Sequence, residues 1–119
     1  MTDSTPRRIR PDEAAVLTWM LTHASSVDGS LDHLLPTVER LFVSDGCGCG
    51  CCSLSFSTSE RGARRAPIAN AVGRSASGAT VDVYVWGTND RVTGLEVIGA
   101  GADAANLPPP ETLQSTACC

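Results

Sequence analysis

The segment TVDVYVWG, residues 80–87, alternates without interruption: Val81, Val83 and Val85 fall on one side of an extended chain, and Asp82, Tyr84 and Trp86 on the other. A helix would spread these valines around its circumference, whereas β-branched side chains fit a pleated, half-buried surface. The segment is therefore read as a strand with one buried face. GTNDR supplies turn chemistry after it, and VTGLEVIGAG is the returning strand, with either Leu95 and Val97 or Val92 and Ile98 turned inward. An antiparallel hairpin with one apolar face needs a second layer to cover that face.

RPDEAAVLTWMLTHAS, residues 10–25, is the natural cover. Pro11 suits a first helical turn, Asp12 and Glu13 favour the positive end of the helix dipole, and His23 sits near the negative end. Val16, Leu17, Met20, Leu21 and Ala24 recur at helical spacing and predict a buried stripe. Gly29 breaks the chain next, Ser30 caps a short turn carrying Leu31, Leu34 and Leu35, and Pro36 is expected to end it.

TVERLFVSD (37–45) then reads as a strand entering a run of cysteines, and CSLSFSTS (52–59) as a strand leaving it with Leu54 and Phe56 alternating against serines. The two suggest a hairpin-like excursion. APIANAV (66–72) is a weaker strand candidate, and GRSASG a loop. The expected architecture is α+β: an N-terminal helix packed on an antiparallel sheet of about four or five strands.

With 119 residues, 42% of them hydrophobic, the chain is long enough for one domain and one modest core. Residues 1–9 are expected to form a flexible arm and residues 103–119, with three consecutive prolines, an extended surface tail. Aromatics make up only 4%, so Val, Leu, Ile and Ala must build the core, and stability is expected to be modest.

All nine basic residues are arginine, and the formal charge is -4. A negative chain repels phosphate backbones. Neither the Arg7, Arg8, Arg10 cluster nor Arg61, Arg64, Arg65 is interleaved with aromatics that would stack on bases, so both read as solvated surface and no nucleic-acid partner is expected. No segment approaches the roughly 18 apolar residues of a membrane span, nor does the N-terminus resemble a signal peptide. These observations predict a cytoplasmic protein with no membrane partner. In a reducing compartment its six cysteines would be thiols or thiolates rather than structural disulfides.

Four of the six are packed into DGCGCGCCS, residues 45–53, with Cys118 and Cys119 at the chain end. On a straight strand Cys47, Cys49 and Cys51 would share one face, while Cys52 would join Leu54 and Phe56 on the other. Same-face neighbours on such a strand lie about 6.6 Å apart, but thiolates sharing a tetrahedral zinc at about 2.3 Å must come to just under about 4 Å. Chelation thus requires the backbone to curl, which Gly46, Gly48 and Gly50 permit.

Two readings follow. In one, Cys47, Cys49 and Cys51 hold zinc or copper(I), with Cys52 or a tail cysteine as an optional fourth ligand. In the other the cysteines are structural, making a compact bend, and the chain is a non-catalytic module that binds a protein partner through an open sheet face or edge strand. For Cys52 strand parity favours the packing role. Asp82, Asp90 and Glu96 read as the solvent side of a strand and turn, and Tyr84 with Trp86 as an aromatic patch. His23 and His33 fall in helical segments, and no phosphate loop, zincin motif or serine elbow occurs, so no enzyme is expected.

CGCGCCSLSF, VYVWGTNDRVTGLEV and LPPPETL, in that order, resemble a family of small uncharacterised bacterial proteins common in actinobacteria. The family is similar in its C-x-C-G-C segment, an alternating strand, a hairpin ending in L-E-V and a proline-containing acidic tail. The matching positions are Cys47, Cys49, Gly50, Cys51, Leu95, Glu96 and Val97. The resemblance implies a bacterial cytosolic protein. The chain departs from the family in Cys52, where a small residue or proline is usual, and in Cys118 and Cys119.

Overall fold

The fold comes from a computed structural model that describes residues 7–26, 30–46, 54–56, 66–75, 77–88, 90–99 and 107–115. Helix α1 (Pro11–His23) buries Glu13, Val16, Leu17, Met20 and Leu21, so the predicted stripe is present with a carboxylate added at its N-terminal end. Ala24, just past the last turn, is half-buried. Thr22 donates its hydroxyl to the Thr18 carbonyl at 2.8 Å.

The strands, in chain order, are β1 (Arg7–Arg8), β2 (Ser25–Ser26), β3 (Phe42–Gly46), β4 (Leu54–Phe56), β5 (Ala66–Arg74), β6 (Thr80–Gly87), β7 (Val92–Ile98) and β8 (Gln114–Ser115). They form one antiparallel sheet in the order β1-β3-β4-β7-β6-β5-β2, with β8 also pairing with β5. Five of these are longer than two residues, matching the expected size of the sheet; the other three are two-residue strands at its edges. The α+β architecture with the helix packed on the sheet is as the sequence predicts.

Register separates the two faces. Val81, Val83 and Val85 of β6 pair with Gly73, Ala71 and Ala69 of β5, and Val83 and Val85 pair with Val97 and Leu95 of β7. Apart from Gly73, these residues are buried in the same cluster as Val16, Leu17, Met20 and Leu21 of α1. Of the two inward pairs open for β7, Leu95 and Val97 are the ones realised, yet Val92 is buried as well while Ile98 is exposed. The reason is an extra residue: Trp86 pairs with Gly94 and Gly87 with Val92, leaving Thr93 as a bulge that returns Val92 to the inner face.

Three expectations are corrected. The segment Asp32–Arg40 is a 3-10 helix that runs through Pro36 and into residues expected to be strand, because Leu34 and Val38 both bury against α1 and Leu31. Strand β3 begins only at Phe42. Residues 7–9 are not a free arm: Arg7 and Arg8 pair with Val43 and Phe42, and Ile9 is buried with its N–H donated to the Leu41 carbonyl. Residues 107–115, part of the segment expected to lie extended along the surface, pack on the sheet. Pro108 and Leu113 are buried, Pro110–Thr112 makes a 3-10 turn, and β8 adds to β5.

The tail docks at one glycine. A Cβ on Gly73 would lie 2.8 Å from the Pro108 Cβ and 2.9 Å from the Leu113 Cδ2, so the close approach of the tail to β5 depends on the missing side chain. Between β5 and β6, Gly78 turns the chain at a φ of +89°, with its N–H donated to the Ser75 carbonyl.

Candidate functional site

The cysteine segment is carried by the β3–β4 hairpin. Val43 pairs with Phe56, Asp45 with Ser55 and Gly46 with Leu54, with an irregularity between Val43 and Asp45. Val43 and Phe56 are buried at 6% and 4% exposure, which anchors the base of the hairpin in the core. β4 is an interior strand, pairing on its other side with β7 through Leu54–Leu95 and Ser55–Gly94. The hairpin is thus held from both sides.

Cys47, Cys49, Cys51, Cys52, Cys118 and Cys119 all lie outside the described residues. The flanking pairs nonetheless fix where the segment begins and ends. Opposed residues in an antiparallel ladder have Cα atoms about 5 Å apart, so Gly46 and Leu54 stand side by side. A straight run between them would separate them by roughly 26 Å. The pairing brings the two ends of the segment together, and the path of residues 47–53 between them lies outside the described residues.

Among the described residues no three His, Cys, Asp or Glu side chains are gathered as a metal would require. The carboxylates noted in the sequence are dispersed. Glu96 accepts a 2.7 Å hydrogen bond from the Trp86 indole N–H, Asp82 lies opposite Ile98, and Asp90 sits in the β6–β7 turn with its backbone N–H donated to the Thr88 hydroxyl. His23 packs its ring on Trp19 at a centroid distance of 5.3 Å, and His33 is exposed on the 3-10 helix.

The strongest electrostatic feature was not legible as such. Arg7 grips Glu13 in a bidentate pair at 3.0 and 2.8 Å, and the Arg10 N–H donates to the same carboxylate at 2.9 Å. Burial alone would push the Glu13 carboxyl up, but the Arg7 hydrogen bonds, the Arg10 N–H and the two positive charges together hold it below the usual carboxylate range. This ties β1 to the start of α1. The only hint in the sequence is Glu13 three residues after Arg10, the spacing at which a first-turn carboxylate reaches back to the preceding backbone.

Two surfaces complete the picture. Along the outer side of α1 runs an open groove of about 540 Å³, where Ala15, Thr18, Trp19, His23, Leu35 and Pro110 meet. Trp19 and His23, four residues apart and off the buried stripe, stand on one side of it. On the sheet, register places Asp82, Tyr84, Trp86, Glu96 and Ile98 on the face away from α1, together with Arg8 and Phe42. The edges offer less, because β1 covers part of β3, while β2 and β8 cover the middle of β5.

No helix among the described residues is long and apolar enough to cross a membrane. No protein-family profile matches the chain, and neither a curated protein nor a solved structure does. The likeness to small actinobacterial proteins therefore stands on the quoted motifs alone.

Proposed function

We propose that this is a non-catalytic cytoplasmic protein that binds a soft metal ion, zinc or copper(I), at the tip of the β3–β4 hairpin. Cys47, Cys49 and Cys51 supply thiolates, and Cys52 or a tail cysteine supplies the fourth. The observation that supports this is the pairing of Gly46 with Leu54, which brings together the two ends of the segment that carries four of the cysteines. Soft thiolates close in sequence suit these ions better than harder cations. The test is a triple Cys47→Ser, Cys49→Ser, Cys51→Ser variant. It is expected to fold and to lose bound metal, and a variant that keeps its full metal content would refute the site.

A second reading is favoured by the outer face of the sheet, where Phe42 and Ile98 stand 40% and 46% exposed. In it the protein docks another protein on that face and the cysteines only shape a bend. The same triple variant separates the two, since docking would survive it.

A further inference from the structure

Both ends of the sheet are closed in the same way. At one end β1 lies outside β3, and at the other β2 and β8 lie outside β5; each is two residues long and polar, Arg7–Arg8, Ser25–Ser26 and Gln114–Ser115. A sheet edge presents unpaired N–H and carbonyl groups to any extended chain, and a very short, charged strand laid over it blunts that edge. On β3 the cover is β1, opposite Val43 and Phe42. The Ile9 N–H donates to the Leu41 carbonyl at 3.1 Å, and bonded pairs alternate along an antiparallel ladder, so the next bonded pair is Arg7 with Val43. β1 therefore occupies the outward N–H and carbonyl of Val43. Beyond Val43, the irregularity before Asp45 breaks the regular edge, so the stretch that β1 covers is the flat part of it.

Two ladder residues hold a strand weakly, and β1 is fixed mainly by its side chains. Arg7 makes its bidentate pair with Glu13 at 3.0 and 2.8 Å, the Arg8 guanidinium lies 5.6 Å from the Phe42 ring centroid, and Ile9 is buried. The two halves of the ion pair are unequal. The Arg7 side chain is 38% exposed and that of Glu13 only 6%. Glu13 also accepts the Arg10 N–H, so the start of α1 stays capped when Arg7 leaves. Arg7 is the half that can let go.

We infer that β1 is an edge guard. Latched to α1 through Arg7 and Glu13, it keeps β3 from pairing with β3 of a second copy of this chain. Opening the latch frees the backbone groups of Val43, and the edge then takes up the same edge of another molecule, antiparallel about a two-fold axis. The guard uses none of the cysteines and does not depend on what the hairpin tip holds.

Amide hydrogen exchange and sedimentation equilibrium of the full chain, both in reductant and chelator so that neither disulfides nor metal link molecules, provide the test. The Ile9 and Val43 N–H groups should be protected in the parent chain. Arg7→Glu, with folding checked by circular dichroism, is expected to speed exchange at both about tenfold or more and to self-associate reversibly at concentrations where the parent does not. Arg7→Gln, which removes the charge without adding repulsion, should do the same to a smaller degree, and Arg7→Lys least. Adding Phe42→Lys to Arg7→Glu should restore the monomer while exchange stays fast, because a lysine on an edge strand opposes pairing. Slow exchange at Ile9 and Val43 in Arg7→Glu would mean that there is no latch. An opened variant that is monomeric at every concentration, or an association that Phe42→Lys leaves untouched, would mean that β1 does not guard this edge. Each of these results overturns the inference.

Discussion

Thr93→Val should make the protein more stable. Thr93 is the bulged residue of β7, only 5% exposed, and its Oγ1 is buried without a hydrogen-bond partner. A buried hydroxyl that has given up water and gained nothing costs about 1–3 kcal/mol. Valine keeps the branched shape and strand preference, and replaces the hydroxyl with a methyl worth up to about 0.8 kcal/mol in burial. Allowing for some relaxation around the bulge, a net gain of about 1–2 kcal/mol is expected. For a domain of this size that raises Tm by roughly 4–8 °C. The assay is paired thermal and urea unfolding of Thr93→Val and Thr93→Ser, the serine variant keeping the hydroxyl and losing the methyl. Valine should stabilise and serine destabilise. The opposite order would mean that the hydroxyl is hydrogen-bonded, and the reasoning would be wrong.

Other perturbations read out the remaining contacts. Glu13→Gln should cost about 1–2 kcal/mol in urea unfolding at neutral pH, less than a fully buried pair because Arg7 is 38% exposed and can return to water. Since the folded Glu13 carboxyl sits below its ordinary value, its contribution is fully present above the unfolded carboxylate pKa and fades as pH falls through the folded one. Stability should therefore drop more steeply on acidification in the parent chain than in Glu13→Gln, and parallel pH profiles would contradict this. Gly73→Val should lift Pro108 and Leu113 from β5, costing about 1–3 kcal/mol and speeding proteolysis within residues 107–115. Leu17→Ala, at a site with no exposure, should cost about 2–5 kcal/mol in chemical denaturation, and a loss under about 1 would misplace the helix.

The parts of the fold legible in the sequence are those with a long period. Val81, Val83 and Val85 and the stripe of α1 each repeat several times, so local pattern and tertiary burial agree. The parts that were not legible depend on partners distant in the chain. Arg7–Arg8, Ser25–Ser26 and Gln114–Ser115 are strands only because β3 and β5 offer them hydrogen bonds, and two residues carry no alternation. Thr93 reads as an ordinary strand residue until the register of β6 leaves it unpaired. Pro36 looks like a stop, yet a 3-10 run passes through it because burying both Leu34 and Val38 outweighs the local signal. Of the candidate site, the excursion of the chain into the cysteines was legible from the flanking alternation, and the pairing that closes it needed the sheet.

The central claim is that the hairpin tip holds a soft metal ion, and elemental analysis of freshly purified protein prepared without chelator, with reactive thiols counted in the same sample, addresses it most directly. About one zinc or copper per chain, fewer reactive thiols than the six cysteines present, and a lower Tm once the metal is stripped are predicted. Metal-free protein with all six thiols titrating freely and a Tm indifferent to chelator would contradict the account.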